Sequence, residues 1–120
     1  MRSTATGFER VRSLAAEFPD LEQSTMYGSP ALKLGKRLVV CVAIHRSAEP
    51  ASLVFRTDFE QRAALLTEDP ATFYLTDHYA PHPVVLVRPD RLKEDQLRDL
   101  LRSARQCVLN QARQKKRSTR

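Results

Sequence analysis

Three arginines near the C-terminus have the residue type and the spacing of a phosphate-binding surface. Arg98, Arg102 and Arg105 recur at helical spacing, beside the apolar stripe of the same predicted helix and not within it. A guanidinium is always charged and presents a planar fork of donors that suits phosphate oxygens. Several such cations along one helix can each neutralise one phosphate of a nucleic acid. The pattern favours nucleic-acid binding, and an ordinary solvated helix face is the alternative interpretation.

Further cations extend this predicted surface elsewhere in the chain. Residues 98–120 hold eight lysines and arginines against one acid, whereas residues 1–97 hold 12 against 13. Such asymmetry favours a polyanionic partner. We expect duplex DNA, contacted through its backbone with little base selectivity, and keep an acidic protein partner as an alternative. The predicted contacts on a hairpin at Gly35 are Lys33, Lys36 and Arg37, and those beyond the last helix are Arg113, Lys115, Lys116 and Arg117.

A second group of chemically versatile side chains lies in one predicted loop. His78, Tyr79 and His82 cluster there, and Arg56 and Asp58 are the nearest candidates from another segment. Histidine can act as a base or a ligand near neutral pH. No nucleophile–base pair or Gly-rich phosphate loop accompanies these residues, so the sequence predicts no catalytic residue. The cluster leaves a small-ligand or enzymatic pocket as an alternative to DNA binding, and the closure of a strand end as the simpler interpretation.

The same loop is a poor metal site. Its two histidines are four residues apart, a spacing that shares a face only on a helix, and Pro81 and Pro83 disfavour a helix there. No zinc-ligand spacing links these histidines to Cys41 or Cys107. We therefore predict no metal and no cofactor, and we expect both cysteines to be reduced thiols.

The aromatic residues indicate packing and not base stacking. The chain has no Trp, and its aromatic side chains lie mainly in predicted strands and hairpins. We expect them in the core or against a hairpin, which disfavours a single-strand stacking mode. The residues concerned are Tyr27, Phe55, Phe73 and Tyr74.

The pattern of apolar residues divides the chain into three helices and five or six short strands. Gly35-Lys36 between two apolar runs predicts a tight hairpin, and Asp58 followed by Gln61 predicts the capped start of a helix. Since strands and helices do not alternate regularly, we expect an α+β domain, an antiparallel sheet with the helices packed mainly on one face. The predicted helices are 5–18, 59–68 and one from 93–95 to about 112, and the predicted strands are 22–27, 31–34, 38–45, 52–56, 72–76 and 84–88.

The size and composition of the chain limit the number of domains it can form and the class of protein it belongs to. The chain has 120 residues, of which 42% are hydrophobic and 28% charged, values typical of one globular domain. We assign residues 1–112 to that domain and expect residues 113–120 to form a disordered basic tail. Charged residues interrupt the N-terminal apolar pattern, and no apolar run approaches the roughly 18 residues of a spanning helix. The expected compartment is the cytoplasm, with no membrane partner.

Three segments of the sequence carry a resemblance to known proteins. They are Tyr27–Lys33 with Gly35-Lys36, then Phe55–Asp58 with Arg62 and Leu65-Leu66, and finally Pro70–Phe73, Thr76–Tyr79 and Pro83–Arg88. Taken together in order and spacing, these segments resemble the MmcQ/YjbR family of small bacterial proteins. The similarity extends from about Phe8 to Val108, which is nearly the whole chain.

This resemblance implies a CyaY-like α+β fold and DNA binding, with hairpins arranged as two wings. It implies no enzymatic activity. One position departs from the family pattern, because the loop between His78 and Pro83 usually carries a glycine and here reads Ala80-Pro81-His82. Proline makes that loop stiffer. The basic run beyond Val108 lies outside the family pattern and inherits no role from it.

Overall fold

The structure is a computed structural model that describes residues 7–118, with side chains described through Gln114. Within these residues it contains three α-helices, six β-strands and two 3₁₀ turns. The helices are α1 (Gly7–Leu14), α2 (Phe59–Glu68) and α3 (Glu94–Ser118), and the 3₁₀ turns are Ala15–Glu17 and Pro89–Arg91. The strands are β1 (Glu22–Met26), β2 (Ser29–Leu34), β3 (Arg37–Val42), β4 (Leu53–Arg56), β5 (Phe73–Tyr74) and β6 (Val84–Val87).

The strands form one sheet in the order β1-β2-β3-β4-β6-β5. Every neighbouring pair is antiparallel, which confirms the predicted α+β class. Tight turns join the first three strands. Tyr27 and Gly28 have positive φ angles of 53° and 82° between β1 and β2, and Gly35 has a φ of 63° between β2 and β3. Glycine reaches such angles without steric cost, so the hairpin at Gly35 forms as predicted.

The two faces of the sheet are covered differently. Successive strand residues point to opposite faces, so Phe55 enters one core while Val54 enters another. Apolar residues of all three helices pack into the larger core, which confirms that the helices lie mainly on one face. Two long loops cover the smaller cluster through residues such as Ala48 and Tyr79. We name this second side the helix-free face, and its buried residues are Ala31, Cys41, Val54, Val84 and Leu86.

The last helix is longer than the sequence predicts. It runs to Ser118, whereas the apolar stripe indicates an end near Ala112, so the backbone of residues 113–118 is helical. Arg, Gln and Lys are good helix formers, and this stretch contains neither glycine nor proline. Basic side chains near a helix C-terminus also interact favourably with the helix dipole. Residues 119 and 120 lie outside the described part of the chain.

Neither a disulfide nor a membrane segment shapes the fold between residues 7 and 118. Cys41 and Cys107 are both free and buried. No helix in this range combines the length and the apolar composition that crossing a membrane requires. Hydrophobic packing on the two faces of the sheet therefore holds the described elements together.

Candidate functional site

The three arginines predicted to bind phosphate lie in the first half of α3 and pair with acids of this chain. Arg98 Nε lies 2.9 Å from Glu17 Oε1. Arg105 holds Asp20 with two nitrogens, Nε at 2.9 Å from Oδ1 and Nη2 at 2.6 Å from Oδ2. Both acids follow α1, so these pairs fasten α3 to the N-terminal part of the fold. We name Arg98, Arg102 and Arg105 the paired strip.

The third member of the paired strip has a local partner. Arg102 Nη1 lies 2.7 Å from Asp99 Oδ1, in the preceding turn of α3. Hydrogen bonds to their acids raise the pKa of Arg98 and Arg105, and the bond from Arg105 lowers the pKa of Asp20. Exposed ion pairs of this kind add little to stability. Their consequence for function is that a phosphate must compete with an acid already in place.

The second half of α3 lies against a different part of the fold. Gln111 Nε2 donates to the Thr57 carbonyl oxygen at 3.1 Å. Thr57 follows the last residue of β4, Arg56, whose Nε donates to the Leu38 carbonyl oxygen at 3.0 Å. These contacts bring α3 beside the end of β4 and the start of β3. The turn of the β2–β3 hairpin at Gly35 belongs to the same end of the molecule.

The hairpin, β4 and α3, which these contacts bring together, carry four further cations. Lys36 and Arg113 are exposed, whereas Arg37 and Arg56 are half-buried. None of the four forms a salt bridge within the described residues. Burial lowers the pKa of Arg56, and the nearby charge of Arg37 lowers it further, so two positive charges lie close together. We name Lys36, Arg37, Arg56 and Arg113 the basic end.

The remaining predicted cations fall outside both groups. Lys33 lies on β2 with Glu22 of β1 as its cross-strand neighbour, and the two side chains form no salt bridge in the described structure. The backbone of residues 115–117 continues α3. The side chains there lie outside the described part of the chain, and they belong to Lys115, Lys116 and Arg117.

A cavity of about 450 Å³ opens on the helix-free face. Four residues named from the sequence as a possible pocket line it together, and a fifth does not. Asp58 is the exception, because it caps α2 by accepting the Gln61 backbone N–H at 2.6 Å. This contact is the helix cap that the sequence predicts. The four that line the cavity are Arg56, His78, Tyr79 and His82.

The cavity wall includes a pair of stacked imidazoles. His45, from the loop after β3, has its ring centroid 3.5 Å from that of His78, with an interplanar angle of 6°. His45 Nδ1 accepts the Ser47 backbone N–H at 3.1 Å, which requires the proton of the neutral ring to sit on Nε2. Burial lowers the pKa of His45, and the charges of His78 and Arg46 lower it further. Both effects favour the neutral ring.

The described lining of the cavity contains neither a serine nor an ionised cysteine that could act as a nucleophile. Ser47 Oγ lies 2.8 Å from His45 Nδ1, yet Ser47 does not line the cavity. Cys41 does line it, but burial raises the pKa of its thiol to about 11, so the thiol stays protonated near neutral pH. Across residues 7–118, no group of three or more His, Cys, Asp or Glu is placed to hold a metal ion.

Contacts distant in sequence hold the loop after β3 against the sheet edge. Tyr74 Oη accepts the Glu49 backbone N–H at 2.7 Å and lies 2.6 Å from Ser52 Oγ. Arg88 Nη2 lies 2.6 Å from Glu49 Oε2, and its guanidinium lies 4.3 Å from the centre of the Tyr74 ring. No local sequence pattern predicts these contacts, because each joins residues that are at least 22 positions apart.

Comparisons of this chain with protein-family models, with curated proteins and with solved structures give no match. The resemblance to the MmcQ/YjbR family therefore stays a prediction from the sequence. The geometry adds a division that charge counting does not give. It separates the described cations of the predicted surface into the paired strip, three members of the basic end and Lys33, and it adds Arg56, a residue of the predicted pocket, to the basic end.

Proposed function

We propose that this protein binds duplex DNA through the phosphate backbone, with the basic end as the contact surface. The observation that carries the proposal is that the four cations of the basic end have no acid partner within the described residues. Unpaired cations from neighbouring elements attract phosphates and release the counterions of the DNA. The same helix then continues through Lys115, Lys116 and Arg117, which adds positive charge beyond Arg113.

The family resemblance supports the same surface. It implies DNA binding by a protein whose hairpins act as wings, and the β2–β3 hairpin carries Lys36 in its turn and Arg37 at the start of β3. Phosphate contacts position a protein on DNA but carry no sequence information directly. We therefore expect little discrimination between base sequences.

The paired strip has a different role in this proposal. A phosphate that binds Arg105 must displace Asp20, which holds that guanidinium through two nitrogens. A phosphate that binds Lys36 or Arg113 displaces only water and counterions, since no salt bridge to either is formed in the described structure. The net gain per contact is therefore larger at the basic end. We assign the paired strip to holding α3 in place.

The test compares two triple variants that remove the same charge from different places. One is Lys36→Ala/Arg37→Ala/Arg113→Ala, and the other changes the three arginines of the paired strip to alanine. Fluorescence anisotropy of a labelled duplex of about 20 base pairs would follow binding from about 50 to 200 mM salt, a range in which phosphate contacts weaken measurably. Circular dichroism would establish that each variant is folded.

Each phosphate contact contributes about 0.9 to the slope of log K against log salt. We expect the basic-end variant to lose about 2.7 from the magnitude of this slope, and the paired-strip variant to keep the wild-type slope. The opposite order, or no binding by the full chain at low salt, would overturn the proposal. Displacement of the duplex by an equal charge concentration of polyglutamate would instead assign the basic end to an acidic protein.

A further inference from the structure

The cavity on the helix-free face shares only Arg56 with the basic end, and its size suits a small molecule. Its volume of about 450 Å³ falls within the roughly 300–1,000 Å³ that is typical of ligand pockets. We propose that this cavity binds a small organic anion that joins an apolar body to one carboxylate-like group. The proposal shares Arg56 with the basic end but otherwise rests on residues of a different face, so variants that leave Arg56 unchanged can separate it from DNA binding.

The floor of the cavity is apolar. Leu38, Cys41, Val54 and Val84 line it and come from three neighbouring strands, β3, β4 and β6. The raised pKa of Cys41 keeps its thiol neutral, so it behaves as a small apolar side chain. This floor favours a ligand whose hydrocarbon surface leaves water on binding. A fully polar ligand would find few partners there.

One permanent charge lines the cavity, and it is positive. Arg56 Nε is committed to the Leu38 carbonyl oxygen, while its two Nη atoms have no hydrogen-bond partner within the described residues. No Asp or Glu is among the lining residues that the structure describes. Two Nη donors of one guanidinium match the two oxygens of a carboxylate. Because Arg56 is half-buried, water screens its charge less than at an open surface.

The mouth of the cavity carries an aromatic ring that folding leaves in water. Tyr27 lines the cavity, yet its exposed fraction is 85%. It also has a φ of 53° in the β1–β2 turn, a conformation that a large side chain adopts only at a cost. Backbone strain of this kind is concentrated at binding sites, where the surrounding structure enforces it. We expect the Tyr27 ring to stack on the apolar body of the ligand.

The probe is 8-anilinonaphthalene-1-sulfonate, which joins an aromatic body to one anionic group and fluoresces more strongly in apolar sites. N-phenyl-1-naphthylamine is its neutral counterpart. We expect the full chain to bind the anionic dye saturably at one site, and to bind the neutral dye about tenfold more weakly, since a charge-assisted hydrogen bond is lost. Arg56→Gln is expected to remove this preference, and Arg56→Lys to restore part of it.

Two tryptophan variants locate the dye. Met26 lines the cavity, so Met26→Trp is expected to fill it and weaken dye binding at least tenfold. Phe59→Trp is the matched control, because Phe59 is 53% exposed on α2 and does not line the cavity. Equal dye binding by the two variants would overturn the proposal, and so would equal binding of the two dyes by the wild-type chain.

Different variants test DNA binding and dye binding, so either proposal can be overturned without the other. The variant Lys36→Ala/Arg37→Ala/Arg113→Ala changes no residue that lines the cavity, so we expect it to keep full dye binding. Met26→Trp is expected to keep wild-type affinity for duplex DNA. Loss of dye binding in the basic-end variant, with its fold intact, would contradict an independent site on the helix-free face.

Discussion

The two halves of α3 carry the same kind of side chain in opposite electrostatic settings. In the first half, Arg105 is held by Asp20 through two nitrogens, and Arg98 and Arg102 have acids of their own. In the second half, Arg113 forms no salt bridge within the described residues. The spacing of arginines along a helix therefore does not say which of them are available to a partner.

The difference has a simple origin in the sequence and the fold. Asp99 is the last acid of the chain, so every later cation depends on the rest of the fold for a partner. The segment after α1 brings Glu17 and Asp20 to the first half of α3. The second half meets β4 and the start of β3 instead, where Arg56 and Arg37 add positive charge.

Removing the acids of the paired strip should make the first half of α3 behave like the second. Asp20→Asn/Asp99→Asn frees Arg105 and Arg102. We expect DNA affinity to rise about tenfold at low salt and the salt slope to steepen by about 1.8, because two cations become available. Glu60→Gln/Glu68→Gln is the control, since it makes the same change in net charge at acids that form no salt bridge in the described structure. A similar gain in the control would show that net charge alone is responsible.

Adding an acid to the second half should have the opposite and smaller effect. Asn110 precedes Arg113 by three residues on α3, a spacing that lets the two side chains pair. We expect Asn110→Glu to weaken DNA binding about fivefold at low salt, because one contact is partly neutralised. Asn110→Gln keeps the length without the charge and should bind as the wild type does. Equal binding by both variants would remove Arg113 from the interface.

The paired strip should contribute a small, pH-dependent part of the stability. We expect Arg105→Ala to lower the free energy of unfolding by roughly 0.5 kcal/mol near neutral pH, the usual size for an exposed pair. The pKa of Asp20 is lowered from 3.8 in the folded protein, so the pair contributes fully above that value. Its contribution disappears as the pH falls through the folded pKa. Urea unfolding across this range checks the prediction, which fails if the difference persists in acid.

The smallest expected effect concerns the stacked imidazoles of the cavity. In the folded protein the pKa of His45 is lowered from 6.5, mainly by burial and then by His78. As the pH falls, His45 is therefore protonated in the unfolded chain before it is protonated in the folded protein. The contribution of neutral His45 to the free energy of unfolding is therefore complete above pH 6.5, and it is lost as the pH falls through the pKa that His45 has in the folded protein. In an NMR titration, His78→Asn should raise the pKa of His45 but leave it below its ordinary value. An unchanged pKa would show that His78 does not act on it.

Local sequence patterns predicted the elements because local physics decides them. Gly35 marks a hairpin since glycine accepts a positive φ, and Asp58 caps α2 because its carboxylate reaches the Gln61 N–H. The alternation of β4 places Val54 and Phe55 on opposite faces of the sheet. The loop residues proposed as a pocket, His78, Tyr79 and His82, line one cavity together with Arg56 of β4.

Tertiary contacts decide the features that the sequence did not predict. Asp20 lies 85 residues from its partner Arg105, and no local pattern signals such a pair. The sequence predicts that Tyr27 packs in the core or against a hairpin, whereas its position in the tight β1–β2 turn leaves it exposed. The structure extends α3 beyond the end that its apolar stripe predicts, since the helix-forming residues continue after the stripe fades.

The most direct test of the central claim is to map the DNA contact on the full chain by NMR. Amide chemical shifts would be recorded as duplex DNA is added to ¹⁵N-labelled protein at low salt. We expect the largest changes at residues 35–38 and 111–114, and small changes at residues 17–20 and 98–105. Large changes confined to residues 17–20 and 98–105 would contradict this division of α3, because they would place the phosphates on the paired strip.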